Sequence, residues 1–80
     1  MNEKELLKRI ERNPKIMFGK PVIKGTRLTV EILLEKLASG YTEKEIKQDY
    51  PFITDRDIKA AILYAAKILS LEEEFELVEK

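Results

Sequence analysis

Six residues that break regular structure, three Gly and three Pro, decide what this 80-residue chain can become. Four of them, Pro14, Gly19, Pro21 and Gly25, crowd into one short stretch, and after it only Gly40 and Pro51 interrupt the sequence. Proline removes a backbone donor and clashes with the preceding helical turn, while glycine ends helices by adopting left-handed backbone angles. The chain therefore divides into a short opening segment, an irregular stretch, and three apolar-periodic segments separated at Gly40 and Pro51.

Leu6, Leu7 and Ile10 recur at helical spacing, which predicts a short helix over residues 3–12 that stops at Asn13-Pro14. Ile16-Met17-Phe18 and Val22-Ile23, separated by Gly19-Lys20-Pro21 and closed by Lys24-Gly25, read as a small β-hairpin or ribbon over residues 16–28. Pro21 excludes a long central strand. Val30, Leu33, Leu34, Leu37 and Ala38 then fall on one face of a helix over 29–39, with Thr29 as N-cap and Gly40 at C′. Thr42-Glu43-Lys44-Glu45 is a capping box for a second helix over 42–50, which turns Ile46 and Tyr50 inward. Thr54 caps a third over 54–70, with Asp55 and Asp57 beside the positive end of its dipole. The expected fold is mainly α: a trihelical helix-turn-helix-like unit preceded by a short N-terminal β-hairpin. It makes one domain over 1–70, with an acidic C-terminal extension over 71–80.

A chain this short removes only roughly 60–65% of its unfolded surface from water, so self-association or a partner is expected. An apolar fraction of 44% excludes a disordered chain, and 38% charged residues describe a Lys/Glu-rich surface. With no Cys and no His, disulfides, thiolate zinc sites, cysteine nucleophiles and the commonest general base are all missing. Neither an enzyme nor a cofactor nor a metal site is expected. The Glu cluster Glu72, Glu73, Glu74, Glu76 and Glu79 does not hold fixed coordination. The longest apolar run, Ala60 to Ala66, is far below the roughly 20 residues needed to span a bilayer, and Met1-Asn2-Glu3-Lys4-Glu5 lacks an apolar signal core. A cytoplasmic protein without a membrane role is the expectation. Residues 1–40 hold nine bases and five acids, whereas residues 41–80 hold six and ten, so the neutral chain is polarised.

Between residues 9 and 27, six bases (Arg9, Arg12, Lys15, Lys20, Lys24, Arg27) stand against the single acid Glu11. Such an edge suits nucleic-acid phosphate, and it equally suits a solvated surface. In Gly25-Thr26-Arg27 the glycine supplies a positive φ or a close backbone approach. Arg27 either contacts a phosphate bidentately or, with Thr26, bonds the backbone or an acid such as Glu31. On the third helix Arg56 and Lys59 can touch DNA, although Asp55 and Asp57 beside them oppose it. The candidate DNA contacts are Lys20, Lys24, Arg27, Arg56 and Lys59.

At 100° per residue, Ile58, Ala61, Ile62, Ala65 and Leu69 form one face of the third helix, the expected core face. A second stripe, Tyr64, Ile68, Leu71 and Phe75, needs its own burial partner: the N-terminal helix through Leu6, Leu7 and Ile10, or, as a dimer interface, a second copy, or a partner protein. In the acidic tail, Phe75, Leu77 and Val78 are candidate anchors for a basic partner, against the alternative of a solvated tail.

The run Gly19-Lys20-Pro21-Val22-Ile23-Lys24-Gly25-Thr26-Arg27-Leu28-Thr29-Val30 resembles the opening signature of the domain-of-unknown-function family 433. The likeness continues through Ser39-Gly40-Tyr41-Thr42, Asp49-Tyr50-Pro51 and Thr54-Asp55-Arg56-Asp57-Ile58-Lys59-Ala60-Ala61 to Tyr64-Ala65-Ala66, covering about residues 13–66. Phe18 stands where that family often has a small residue, and the acidic tail lies outside the signature. The resemblance implies a helix-turn-helix protein, the antitoxin half of a VapB-type toxin–antitoxin pair, whose partner is a PIN-like ribonuclease toxin. Together with the second stripe and the basic ribbon, this leads to the expectation of a homodimer whose C-terminal half occludes the toxin's active-site mouth while its ribbon meets operator DNA for autoregulation. A stand-alone transcriptional regulator, or a dimeric assembly module without a DNA role, remain the alternatives.

Overall fold

The structure is a computed structural model and describes residues 2–76, with side chains through residue 71. Asn2 opens the first helix, α1 (Glu3–Leu7), its side chain accepting from the Glu5 amide at 2.8 Å. The helix is shorter than its apolar spacing suggests because Ile10 and Glu11 leave it to form strand β1, paired antiparallel with β2 (Val22–Ile23) in the register Ile10–Ile23 and Glu11–Val22.

This pairing corrects the expected ribbon. Its first strand is Ile10–Glu11, and Ile16–Phe18 is not a strand. The Asn13 side chain accepts from Lys15 N and its carbonyl from Ile16 N, which reverses the chain at Pro14. Met17, Phe18 and Gly19 follow as a left-handed turn with φ of 47°, 59° and 81°. Beyond β2 the chain turns again at Gly25 (φ 79°), and Val22 bridges Thr29. The Thr26 hydroxyl donates to the Ile23 carbonyl at 2.7 Å and accepts from Leu28 N at 3.0 Å.

Helix α2 (Val30–Ala38) starts at Thr29, whose hydroxyl accepts from Ile32 N. Its end satisfies two carbonyls at once: Gly40 N donates to Leu37 O and Tyr41 N to Lys36 O, with Gly40 at φ 93°. The predicted capping box opens α3 (Glu43–Asp49), Thr42 and Glu45 exchanging bonds of 2.9 and 3.1 Å. Lys36 clamps α2 to α3, 3.6 Å from Asp49 and 4.5 Å from the centre of the Tyr41 ring. Pro51 ends the turn after α3, and α4 (Asp55–Glu76) begins with a second reciprocal cap: Thr54 N donates to Asp57 Oδ2 and Asp57 N to Thr54 Oγ1. The trihelical unit preceded by a hairpin is thus present, α2, α3 and α4 closing over Leu33, Ile46 and Ile58, which are fully buried.

Two ion pairs orient α1 and β1 antiparallel to α4: Glu3 meets Lys67 at 2.9 Å, and Arg9 meets Asp57 at 3.0 Å. This arrangement corrects the inner face of α4. Ile58 and Ala61 are buried as expected, with Ala65 at the edge, but Ile62 (45% exposed) and Leu69 (55%) face outward. The buried side is instead turned toward Asp57, Ala61 and Tyr64, because α1 packs on one flank and α2 on the other. At 1.5 Å per residue α4 is about 33 Å long, more than twice the length of α2, so its last turns continue past the bundle.

Candidate functional site

The cations of residues 9–27 do not form one free edge. Arg9 is held by the buried Asp57, Arg12 Nε donates to the Gly19 carbonyl at 3.1 Å, and Lys20 Nζ lies 3.0 Å from Glu31. Lys15, Lys24 and Arg27 are exposed and have no acid partner among the described residues. Of the five candidate DNA contacts, Lys20 is therefore engaged at the start of α2, while Lys24 and Arg27 project from the turn between β2 and α2. Arg56 and Lys59 lie one turn apart on the exposed side of α4. It is Lys20, and not Arg27, that meets Glu31. Thr26 has the backbone role considered for it, and Gly25 contributes its positive φ, with open space where a Cβ would stand.

The two carboxylates at the start of α4 are both answered. Asp55 lies 2.6 Å from Lys47, and the hydrogen bond and charge of that ammonium, with Lys59 nearby, lower its pKa. Asp57 carries the cap and the Arg9 guanidinium together. Neither pairing has a local signature: Arg9 and Asp57 are 48 positions apart, and only the antiparallel run of α1 and β1 along α4 brings them together.

Two surface depressions organise the exposed residues. An open groove of about 590 Å³ is lined by Ile16, Gly25, Thr26, Arg27 and Phe52. Phe52, 59% exposed, is set edge-on to Tyr50 with ring centres 6.0 Å apart. Sequence reasoning missed Phe52, since a lone aromatic after Pro51 has no periodic partner. The second depression, about 460 Å³, is apolar and lies between α2 and α4, walled by Val30, Leu34, Tyr64, Ala65, Ile68 and Leu69 and edged by Glu31 and Glu35. It unites two candidate interface residues, Tyr64 and Ile68; Leu71 continues outward, 59% exposed. The side chain of Phe75, and Leu77 and Val78 altogether, lie outside the described residues. Among the described residues no three acidic side chains converge on a point, and no helix is long and apolar enough to cross a membrane.

Hairpin, α2, α3 and the first half of α4 coincide with the reach of one family model, a protein of unknown function (DUF433), which matches residues 10–65. The chain belongs to the DUF433 family. A solved relative is the DUF433 member protein from Anabaena variabilis, 27% identical, with a TM-score of 0.74 over 89% of this chain and 70% of that one. No curated protein matches the chain. The DUF433 match covers both grooves except for the outer wall formed by Ile68 and Leu69.

Proposed function

We propose that this DUF433 protein is a non-enzymatic, cytoplasmic, antitoxin-like partner of a PIN-like ribonuclease, and that it works as a homodimer. One observation carries the reading: the apolar seam of α4 outlasts the domain that needs it. Asp57, Ala61, Tyr64, Ile68, Leu71 and Phe75 are spaced alternately by four and three residues, the repeat that lets two helices pair along their length. Asp57 and Ala61 are consumed by the chain's own core, and Ile68 and Leu71 are left in water. Pairing of two copies along Tyr64, Ile68, Leu71 and Phe75 removes that surface.

The tail beyond the seam combines Phe75, Leu77 and Val78 with five Glu residues between positions 72 and 79. A ribonuclease needs basic residues along the path of the RNA phosphates, and a tail with these anchors and this charge complements such a surface. Truncation after Ser70 leaves the buried core of residues 22–61 untouched. The truncated chain keeps its fold and loses neutralisation of the ribonuclease; full neutralisation by it contradicts the occlusion mechanism.

Lys24, Arg27 and Arg56, exposed and without an acid partner among the described residues, and Lys59, exposed near Asp55, favour a second activity, binding of operator DNA. Arg27→Ala then lowers operator affinity steeply and flattens its salt dependence.

A further inference from the structure

The left-handed turn at Met17–Gly19 is held from three sides: Gly19 N donates to Ile16 O, Lys20 N to Met17 O, and Arg12 Nε to Gly19 O. Its effect is to place the Phe18 ring almost wholly in water, 96% exposed, on a backbone conformation that L side chains avoid. A strained residue that displays a large apolar ring, and is fixed by its surroundings, marks a surface for a ligand. The turn begins at Ile16, which is one wall of the groove containing Arg27 and Phe52. Two exposed phenyl rings, Phe18 and Phe52, therefore belong to one end of the molecule, with Lys15 next to Ile16 and Lys24 next to Gly25 in the chain. Asp55 and Asp57 are paired with Lys47 and Arg9, whereas Glu11, whose Oε1 accepts from Gly25 N at 3.0 Å, keeps its charge beside the turn, one acid against Lys15, Lys24 and Arg27.

We infer that this end of the protein binds single-stranded nucleic acid, Phe52 and Phe18 stacking on unpaired bases while Arg27, Lys24 and Lys15 contact the phosphates. The inference rests on the nucleic-acid reading above for Lys24 and Arg27, and goes beyond it in the strand state. Ring faces recognise base faces, which a duplex keeps stacked and an unpaired strand exposes. Lys15, Lys24 and Arg27 outnumber Glu11 at this end, and the excess of positive charge selects a phosphate-bearing ligand over an uncharged apolar one.

The test is fluorescence anisotropy of the full chain with labelled oligothymidylate and oligouridylate of about 12 residues, beside a duplex of the same length. Either single strand binds more tightly than the duplex, and the ratio of the two shows whether deoxyribose or ribose is preferred. Phe52→Ala weakens the single strand about tenfold or more, and Phe18→Gly weakens it about fivefold while relieving the left-handed strain. Arg27→Ala lowers the salt slope by about 0.7. Far-UV circular dichroism confirms that each variant is folded, and Phe18→Gly keeps the test decisive if Phe52→Ala is not. Duplex binding that is equal or tighter overturns the inference and leaves operator binding standing. Absence of binding to all three also overturns the inference, while operator binding is judged separately on the operator duplex.

Discussion

Asp57 joins two parts of this protein, the start of α4 and the segment that leads into β1. Its two carboxylate oxygens divide the work: Oδ2 accepts from Thr54 N at the start of α4, and Oδ1 holds Arg9, in the turn just before β1. Asp57→Asn keeps the size, exchanges one acceptor for a donor and removes the charge, so it costs about 2 kcal/mol in stability. Urea denaturation shows this as a lower midpoint at unchanged slope. Phe18 is the opposite case, a residue whose backbone works against folding. Phe18→Gly raises stability by about 1 kcal/mol, read as a higher melting temperature, because a left-handed phenylalanine costs that much more than a left-handed glycine. A variant that is more stable yet binds single strands worse separates the ring's contribution to binding from any contribution to the fold.

Helix limits were legible in the sequence wherever a local rule sets them. Thr29, Thr42 with Glu45, Thr54 and Gly40 all act at the ends where their chemistry places them, since a cap involves residues at most three or four positions apart. The same caps carry a pH dependence. Thr42's backbone and side-chain hydrogen bonds lower the pKa of Glu45, and Lys47 lowers that of Asp55. A carboxylate with a depressed folded pKa contributes stability above its unfolded value, near 4, and loses that contribution as the pH falls through the folded value. The molecule therefore loses stability below about pH 4, and Glu45→Gln makes the loss shallower in melting curves taken between neutral and acid pH. What was not legible is what depends on distant neighbours. Nothing near Ile10 announces that Ile23 will pair with it, and the side of α4 that faces inward depends on where α1 and α2 settle, which is why Ile62 and Leu69 are outside. The candidate cations were visible as residue types, but whether Lys20 or Arg27 stays free follows from where Glu31 lies.

At the scale of the whole molecule the two ends differ in the surfaces they expose. One end gathers the β2–α2 turn, Phe52 and the start of α4 around a cation-bearing groove; at the other, the last turns of α4 carry Ile68, Leu69 and Leu71 beyond the matched family region. The proposed dimer interface belongs to the second end. Ile68→Asp, at an exposed position, leaves the monomer folded and weakens self-association about tenfold or more in sedimentation velocity, since it places a charge in an apolar seam. The antitoxin-like role is tested most directly by retrieving the tagged full chain from a lysate of its source cells after nuclease treatment, beside the chain truncated after Ser70. The expected result is one small PIN-like ribonuclease in stoichiometric amount with the full chain, absent with the truncated chain, whose RNA cleavage the full chain inhibits. Recovery of the chain alone, or equal inhibition by the truncated form, contradicts it.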